Sequence, residues 1–591
     1  MFLNRSSAAP ALLGALVLAA LGCSPSGDGA GGGNGADNGG GNSGAAAGGV
    51  GGSGAGSGGA SASGGGGASG NAGTGAVGGG VDLPPGTTPP SLLPAGVRRL
   101  TNAEYEASVR ALLGVGLPAD VIFPPDERQD GFTRNDAQRV DPVFAKQLAA
   151  VAAVLGAGAK ARAAELAPCS DSPAGEACAQ SFIESFGARA YRRALTTEEV
   201  DGLLGVYRVG AEGETYADGI GLVVEALLQS AGFLYETEIG DGSAFDPIIL
   251  APNELASSLS YLVMGQPPDA ELLQAAAGGG LATPEGREAQ AWRLMQSGDP
   301  VRRTMLRIVR EWLGVDRITE TAKDSTVYGS FEMLKPSIVN EVDGFIGEVI
   351  GNSTGTVGEI LGADWTVADS TLASGFYGVS GGGTGRLSLA GTGRRGILNQ
   401  GAFLSVYAHA SESAPVFRGV AILRRVACFE LGSPTDLNID VIPPAPDPGL
   451  TTRDRFSEHV ADQTCAGCHA SIDSIGFAFE NFDGMGASRD GMENGHAVDT
   501  ATTVELGLDF DGSYANSDEI ALALSQSPTV RACFARHLFH AMSAVSGTAV
   551  QPSEDSYVTA WRADTNAEAG NIAASMLAYV RSPIFAYRRA Q

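Results

Sequence analysis

Cys465, Ala466, Gly467, Cys468 and His469 form a C-x-x-C-H run. At this spacing two thiols can each bond one vinyl group of a porphyrin, and the next imidazole can ligate its iron. The cofactor this pattern calls for is one covalent haem c, with Cys465 and Cys468 as thioethers and His469 as the proximal ligand. Two other chemistries use the same residues. Cys465 and Cys468 could close a disulfide, redox-active or inert. A redox C-x-x-C usually opens a helix after a strand, whereas this one follows a predicted helix, Arg453 to Ala461. Alternatively, His459, Cys465, Cys468 and His469 could hold zinc, although the adjacency of Cys468 and His469 makes a tetrahedral set awkward.

A proximal His469 requires a second ligand or an open face opposite it. Met485 and His540 are the candidate distal ligands, with Met492 and Met542 behind them. His537 and His540 share a predicted helix face with Cys533 and would approach the motif if Cys428 and Cys533 were joined. A methionine ligand favours electron transfer at relatively high potential. An open face admits peroxide or oxygen chemistry, which also needs a distal acid–base group. Glu480 and Asp483 are candidates for that group by proximity in sequence alone. Phe477, Phe479 and Phe482 are expected close to the porphyrin. No P-loop or H-E-x-x-H run occurs.

The surrounding segments suit this chemistry. Arg5 and the apolar run Ala11 to Leu21 read as a signal peptide, too short to span a bilayer. The run ends Ala20-Leu21-Gly22-Cys23, which resembles a lipobox and implies cleavage before an acylated Cys23. Ser24, rather than Asp, directs the expectation to the outer membrane. From Ser24 to about Pro94 the chain is Gly, Ala, Ser and Asn with almost nothing apolar larger than Val, and it reads as a disordered tether. About 60 such residues would span roughly 45 Å. The remaining roughly 500 residues suffice for about three or four domains, and no later apolar run is read as reaching transmembrane length, so the body is expected to be soluble. A net charge of −28 argues against nucleic-acid binding, because phosphates need clustered Lys and Arg. The expected contact with a membrane is therefore the lipid anchor alone.

Seven cysteines fit an oxidising compartment. With Cys23, Cys465 and Cys468 assigned, four remain. Cys169 and Cys178 flank a turn-rich loop suited to a local disulfide, which would leave Cys428 to pair with Cys533; four cysteines allow three pairings. The body reads as mainly α. Leu100 to Tyr105 and Leu195 to Val200 carry helix starts in which Thr101 and Thr196 are followed three residues later by Glu. Helical periodicity covers Pro142 to Leu166, Ser181 to Tyr191, Gly219 to Phe233, Pro252 to Val263, Arg287 to Met295, Val301 to Leu313 and Leu334 to Ile350. Arg394 to Ala410, Ser517 to Leu524, Val530 to Val545 and Ala567 to Val580 follow, with Gly378 to Gly393 as loop.

Several blocks resemble one family in order: Arg98 to Tyr105, Tyr191 to Thr196, Leu228 to Tyr235, Glu254 to Tyr261, Arg394 to Leu398 and, most specific, Cys465 to Asp483. They resemble planctomycete- and myxobacterial-type surface proteins, strings of domains of unknown function often linked to cytochrome c domains. The resemblance implies export, this architecture and a cytochrome c-like segment; it supplies no substrate. The chain departs from the family pattern at Ser474, where Pro is usual, at Ser488, where an aromatic is usual, and at Ser258, where Arg is usual. The expected divisions are a lipoprotein signal peptide 1–22, a linker 23–95, and helical domains 96–166, 167–240 and 241–385. A motif-bearing domain 386–490 and a C-terminal helical domain 491–591 complete the chain. The expected protein is a multi-helical body with a C-terminal cytochrome c-like segment behind a disordered tether: an exported, outer-membrane-anchored haem protein of redox character, facing the periplasm or cell surface. Its partner is a redox protein or a surface polymer that the residues do not name. The alternatives are a non-enzymatic scaffold with a disulfide or zinc at the motif, and a peroxidase-like haem enzyme.

Overall fold

The computed structural model describes residues 91–590 apart from 171–174, 241, 243–246, 433–444, 446, 460–462 and 546–550, and for 457–459 and 463–465 it describes the backbone alone. The expected signal peptide, Cys23 and nearly all of the linker lie outside these residues.

The fold is mainly α, as the periodicity predicts. Local chemistry starts many helices. Thr101 accepts from the backbone N–H of Glu104 while the Glu104 carboxylate accepts from Thr101 N–H, opening Asn102–Leu113. Thr196 and Glu199 do the same for Thr197–Ala211. Such reciprocal caps satisfy two backbone donors that a helix start leaves over. These helices, with Pro142–Ala161, Glu176–Tyr191 and Tyr216–Gln229, close around a first core that includes Tyr105, Phe144, Val151, Ile183, Val223 and Phe233.

A second, larger core takes Leu93 and Phe132 from the N-terminal side and otherwise runs from Leu250 to Ala586. The C-terminus returns to its start: Tyr587–Arg588 pairs antiparallel with Ile248–Ile249. Gly96–Arg99 pairs antiparallel with Tyr235–Glu238. Buried charges tie these strands together. Arg98 bridges Glu104 at 2.6 Å and Glu236 at 2.5 Å, and Arg588 bridges Glu238 at 2.6 Å. Although burial opposes ionisation, Arg98 and Arg134 hold the Glu104 carboxyl down to about 2.

Four expectations differ from the structure. Ala567 to Val580 is not one helix; Gly570, at φ 83, divides it between Thr565–Glu568 and Ile572–Arg581. Arg394 to Ala410 is not one helix; it holds a short turn Ile397–Asn399 and the helix Gly401–Val406. Gly396 has φ 60, and a Cβ there would lie 2.0 Å from the Leu361 carbonyl oxygen. Arg394 next to it is buried, donating to the carbonyls of Asn399 and Gly486, so tertiary contacts override the local pattern. Pro142–Ala161 is long and apolar enough, by length and composition, to cross a membrane. In this fold Phe144, Leu148, Val151 and Leu155 face the first core, as in the core helix of a packed domain. Finally, periodicity missed the helices Pro415–Ala421 and Gln551–Arg562.

Candidate functional site

The C-x-x-C-H run occupies the first two turns of the helix Gln463–Gly476. Residues three and four apart share a helix face, so Cys465, Cys468 and His469 belong to one side of it. The Cys465 side chain lies outside the described residues, as does that of His459. Cys468 is a half-buried free thiol whose apolar part packs on the larger core.

His469 is mostly buried and has a carboxylate behind it. Its Nδ1 lies 3.1 Å from Asp473 Oδ1 and 3.2 Å from Oδ2, one helical turn on. A carboxylate at one ring nitrogen fixes the orientation of a metal-binding histidine and raises its basicity. A metal would then be met by Nε2. Asp473 was not singled out from the sequence; its i+4 spacing from His469 points to it only once the motif is known to lie on a helix.

The motif helix is held by an unusually close neighbour. Helix Pro415–Ala421 crosses it where both carry glycine. A Cβ on Gly419 would lie 2.3 Å from the Ile472 carbonyl oxygen, and one on Gly476 2.2 Å from that of Pro415. Arg418, on the same helix, is fully buried and gathers the chain that follows the motif. Its guanidinium donates to the carbonyls of Phe479, Phe482 and Asp483 at 3.0, 3.0 and 2.7 Å. Burial among these groups pushes Arg418 down to about 10.

This packing corrects several roles expected from sequence proximity. Glu480 is buried, accepting from Ser413 at 2.7 Å and pairing with Arg418 at 3.3 Å and Arg489 at 3.1 Å. Asp483 shapes a turn, its Oδ1 accepting from the N–H groups of Met485 and Ala487. Neither carboxylate is placed as a distal acid–base group. Phe477, Phe479 and Phe482 are buried in the protein rather than offered to a ligand. The Arg453 guanidinium lies over Phe477 at 5.1 Å and that of Arg394 over Phe482 at 4.2 Å.

The two residues named as distal ligands are committed elsewhere. Met485 is 7 % exposed, with its sulfur 4.0 Å from the Ser330 hydroxyl. His540 has a carboxylate at each nitrogen, Asp130 at 3.1 Å from Nδ1 and Glu554 at 3.0 Å from Nε2. Despite its burial, these two carboxylates raise His540 to about 9. Of the other methionines named, Met542 is buried and Met492 is 51 % exposed. A cavity of about 420 Å³ lies beside the segment after the motif, lined by Tyr328, Glu412, Arg455, Asp483, Arg489 and Met492 among others. Its charged walls do not suit an apolar macrocycle.

The remaining cysteines form two disulfides, Cys169–Cys178 and Cys428–Cys533. The second spans the segment that holds the motif.

Comparison with known families finds four consecutive matches. Residues 98–161 match PSD3, Protein of unknown function (DUF1587), and 178–238 match PSD5, Protein of unknown function (DUF1595). Residues 250–379 match PSD4, Protein of unknown function (DUF1592). Residues 394–492, which contain the C-x-x-C-H run, match PSCyt3, Protein of unknown function (DUF1588). No curated protein and no solved structure matches the chain. The chain therefore belongs to the family of proteins built from these consecutive domains of unknown function, in which the domain bearing the motif has a cytochrome-like name.

Proposed function

We propose that the chain is an exported, lipid-anchored c-type haem protein with an electron-transfer role. Cys465 and Cys468 would hold the haem through thioethers, and His469 would ligate its iron through Nε2. The observation that carries this reading is the pairing of His469 Nδ1 with Asp473 on the helix that also bears a free Cys468 thiol. The donor set fits the group: two thiols at i and i+3, an imidazole at i+4, and a carboxylate behind that imidazole. The cytochrome-like name of the domain matched by 394–492 supports it further. When bound, the haem would supply a one-electron redox centre. The protein's part is to orient the imidazole with Asp473 and to brace the motif helix against Pro415–Ala421. The commitment of Glu480 and Asp483 to structural contacts favours electron transfer over the peroxidase reading.

We assign the anchor to an acylated Cys23 at the outer membrane, facing the periplasm or the cell surface, from the lipobox-like run alone. The partner would be a redox protein or a surface polymer.

Intact-mass measurement of the chain, matured with haem-attachment machinery in an exporting host, tests the haem. The expected result is one added haem, lost in Cys465→Ser with Cys468→Ser. A mature chain of unmodified mass with no Soret absorption would overturn the reading in favour of the scaffold. Metabolic labelling with a fatty acid tests the anchor separately, through Cys23→Ser.

A further inference from the structure

The disulfide Cys428–Cys533 has a third group aimed at it. Cys533 and His537 lie one turn apart on the helix Pro528–Ser543, and Cys428 follows the π-helical turn Ile422–Val426. The two sulfurs and a nitrogen of His537 all lie within 4.8 Å of one another. His537 Nε2 is sealed from solvent with no hydrogen-bond partner. The ring also interacts with the backbone of Arg424, within the π-helical turn. A backbone partner at one nitrogen and a bare second nitrogen is the usual dress of a metal-binding histidine. A buried polar atom left unpaired needs a physical reason, and an imidazole with a ring nitrogen within 4.8 Å of both sulfurs has one if the sulfurs can become ligands. Cys428 itself is a non-glycine residue at φ 49, a conformation that surrounding contacts must enforce.

We propose that Cys428, Cys533 and His537 form a redox-gated site for a thiophilic divalent cation, Zn²⁺. In the oxidised chain the S–S bond holds the two segments together. A dithiol reductant gives two electrons and two protons to that bond, which breaks to leave two thiols while the reductant becomes a disulfide. Zn²⁺ then displaces the two thiol protons and takes His537 Nε2 as its third protein ligand. Such a set leaves one position of a tetrahedral zinc for water. The cation would replace the covalent tie between Pro528–Ser543 and the segment after Pro415–Ala421, so the brace on the motif helix would survive reduction. Soft thiolate donors beside an imidazole select zinc over magnesium or calcium.

Cobalt(II) is the probe, since thiolate ligation gives it a near-ultraviolet charge-transfer band. The full chain is titrated anaerobically before and after reduction by a dithiol that is then removed. The same is done for His537→Gln, which leaves the disulfide intact for folding, and for Cys465→Ser with Cys468→Ser. The expected result is about one cobalt per chain in the reduced protein alone, displaced by Zn²⁺, with affinity at least tenfold weaker in His537→Gln. Uptake should persist when Cys465 and Cys468 are replaced. No uptake on reduction, uptake unchanged in His537→Gln, or uptake abolished by replacing Cys465 and Cys468 would each overturn the proposal. A second measurement compares thermal unfolding of the reduced chain with and without Zn²⁺. An unchanged midpoint would count against it, and a raised one that needs His537 would support it.

Discussion

Gly419 stands directly against Ile472: a Cβ at Gly419 would lie 2.3 Å from the Ile472 carbonyl oxygen, with the mirror arrangement at Gly476 and Pro415. Two helices thus meet backbone to backbone, and one of them carries the C-x-x-C-H run. This contact is one of those that set where the motif helix lies.

Gly419→Ala or Gly476→Ala should destabilise the chain by about 2–3 kcal/mol, because each added methyl meets main chain that has no rotamer to yield. Gly158→Ala is the control. It lies in the helix Pro142–Ala161 with nothing within 4 Å of a built Cβ, so it should stabilise by roughly 0.5–1 kcal/mol. Urea unfolding of the three variants checks the ordering; equal effects at Gly158 and Gly419 would refute the close contact.

Arg418 holds the turn after the motif through carbonyl contacts and its pairing with Glu480. Arg418→Met should cost about 3–5 kcal/mol, since it takes one of two cations from a buried carboxylate and leaves the carbonyls of Phe479, Phe482 and Asp483 without this donor. The double variant Arg418→Met with Glu480→Gln should recover part of that loss. A double-mutant cycle in urea reads this coupling, and strict additivity would argue that the pair is not formed.

His540 gives the chain an alkaline dependence. Its carboxylate partners raise it from an ordinary 6.5 to about 9, so the folded state binds the proton more tightly. That contribution is complete below about pH 6.5 and is lost as pH rises through about 9. The stability gap between the native chain and His540→Gln should therefore be largest near pH 6 and close by about pH 10. Asp130 and Glu554 are held below their usual values, so the ion pair's contribution also fades at strongly acidic pH. Denaturation at a series of pH values, with an NMR titration of the His540 ring, measures both limbs; a gap that widened above pH 9 would sink the assignment.

Asp473→Asn tests the backing of His469. In the haem-loaded chain, losing the carboxylate at Nδ1 lowers the basicity of the ligand and should raise the midpoint potential by tens of millivolts. Spectroelectrochemistry of the native chain, Asp473→Asn and Asp473→Glu measures it. The Glu variant should sit nearer the native value, and identical potentials in all three would mean that Asp473 does not act on the ligand.

The residues legible in the sequence are those whose roles are set within a few positions along the chain. Thr101 with Glu104 and Thr196 with Glu199 announce their helices because a cap closes over three residues. The C-x-x-C-H spacing announces its chemistry because both thiols and the imidazole ride on two turns of one helix. Roles that depend on distant chain were decided by tertiary structure. Glu480 looks like an acid–base candidate until Ser413 and Arg418, from well before the motif, take up its oxygens. His540 looks like a ligand until Asp130 and Glu554 close on both nitrogens. The Arg394 segment has helical periodicity, yet its buried guanidinium and the turn at Gly396 break it. Cysteine parity allowed three pairings, and only the approach of Cys428 to Cys533 selected one. Short-range hydrogen bonding and helical spacing are written in neighbouring residues. Burial, ion pairing and backbone contact depend on which far segments arrive, and the chain acquires those only on folding.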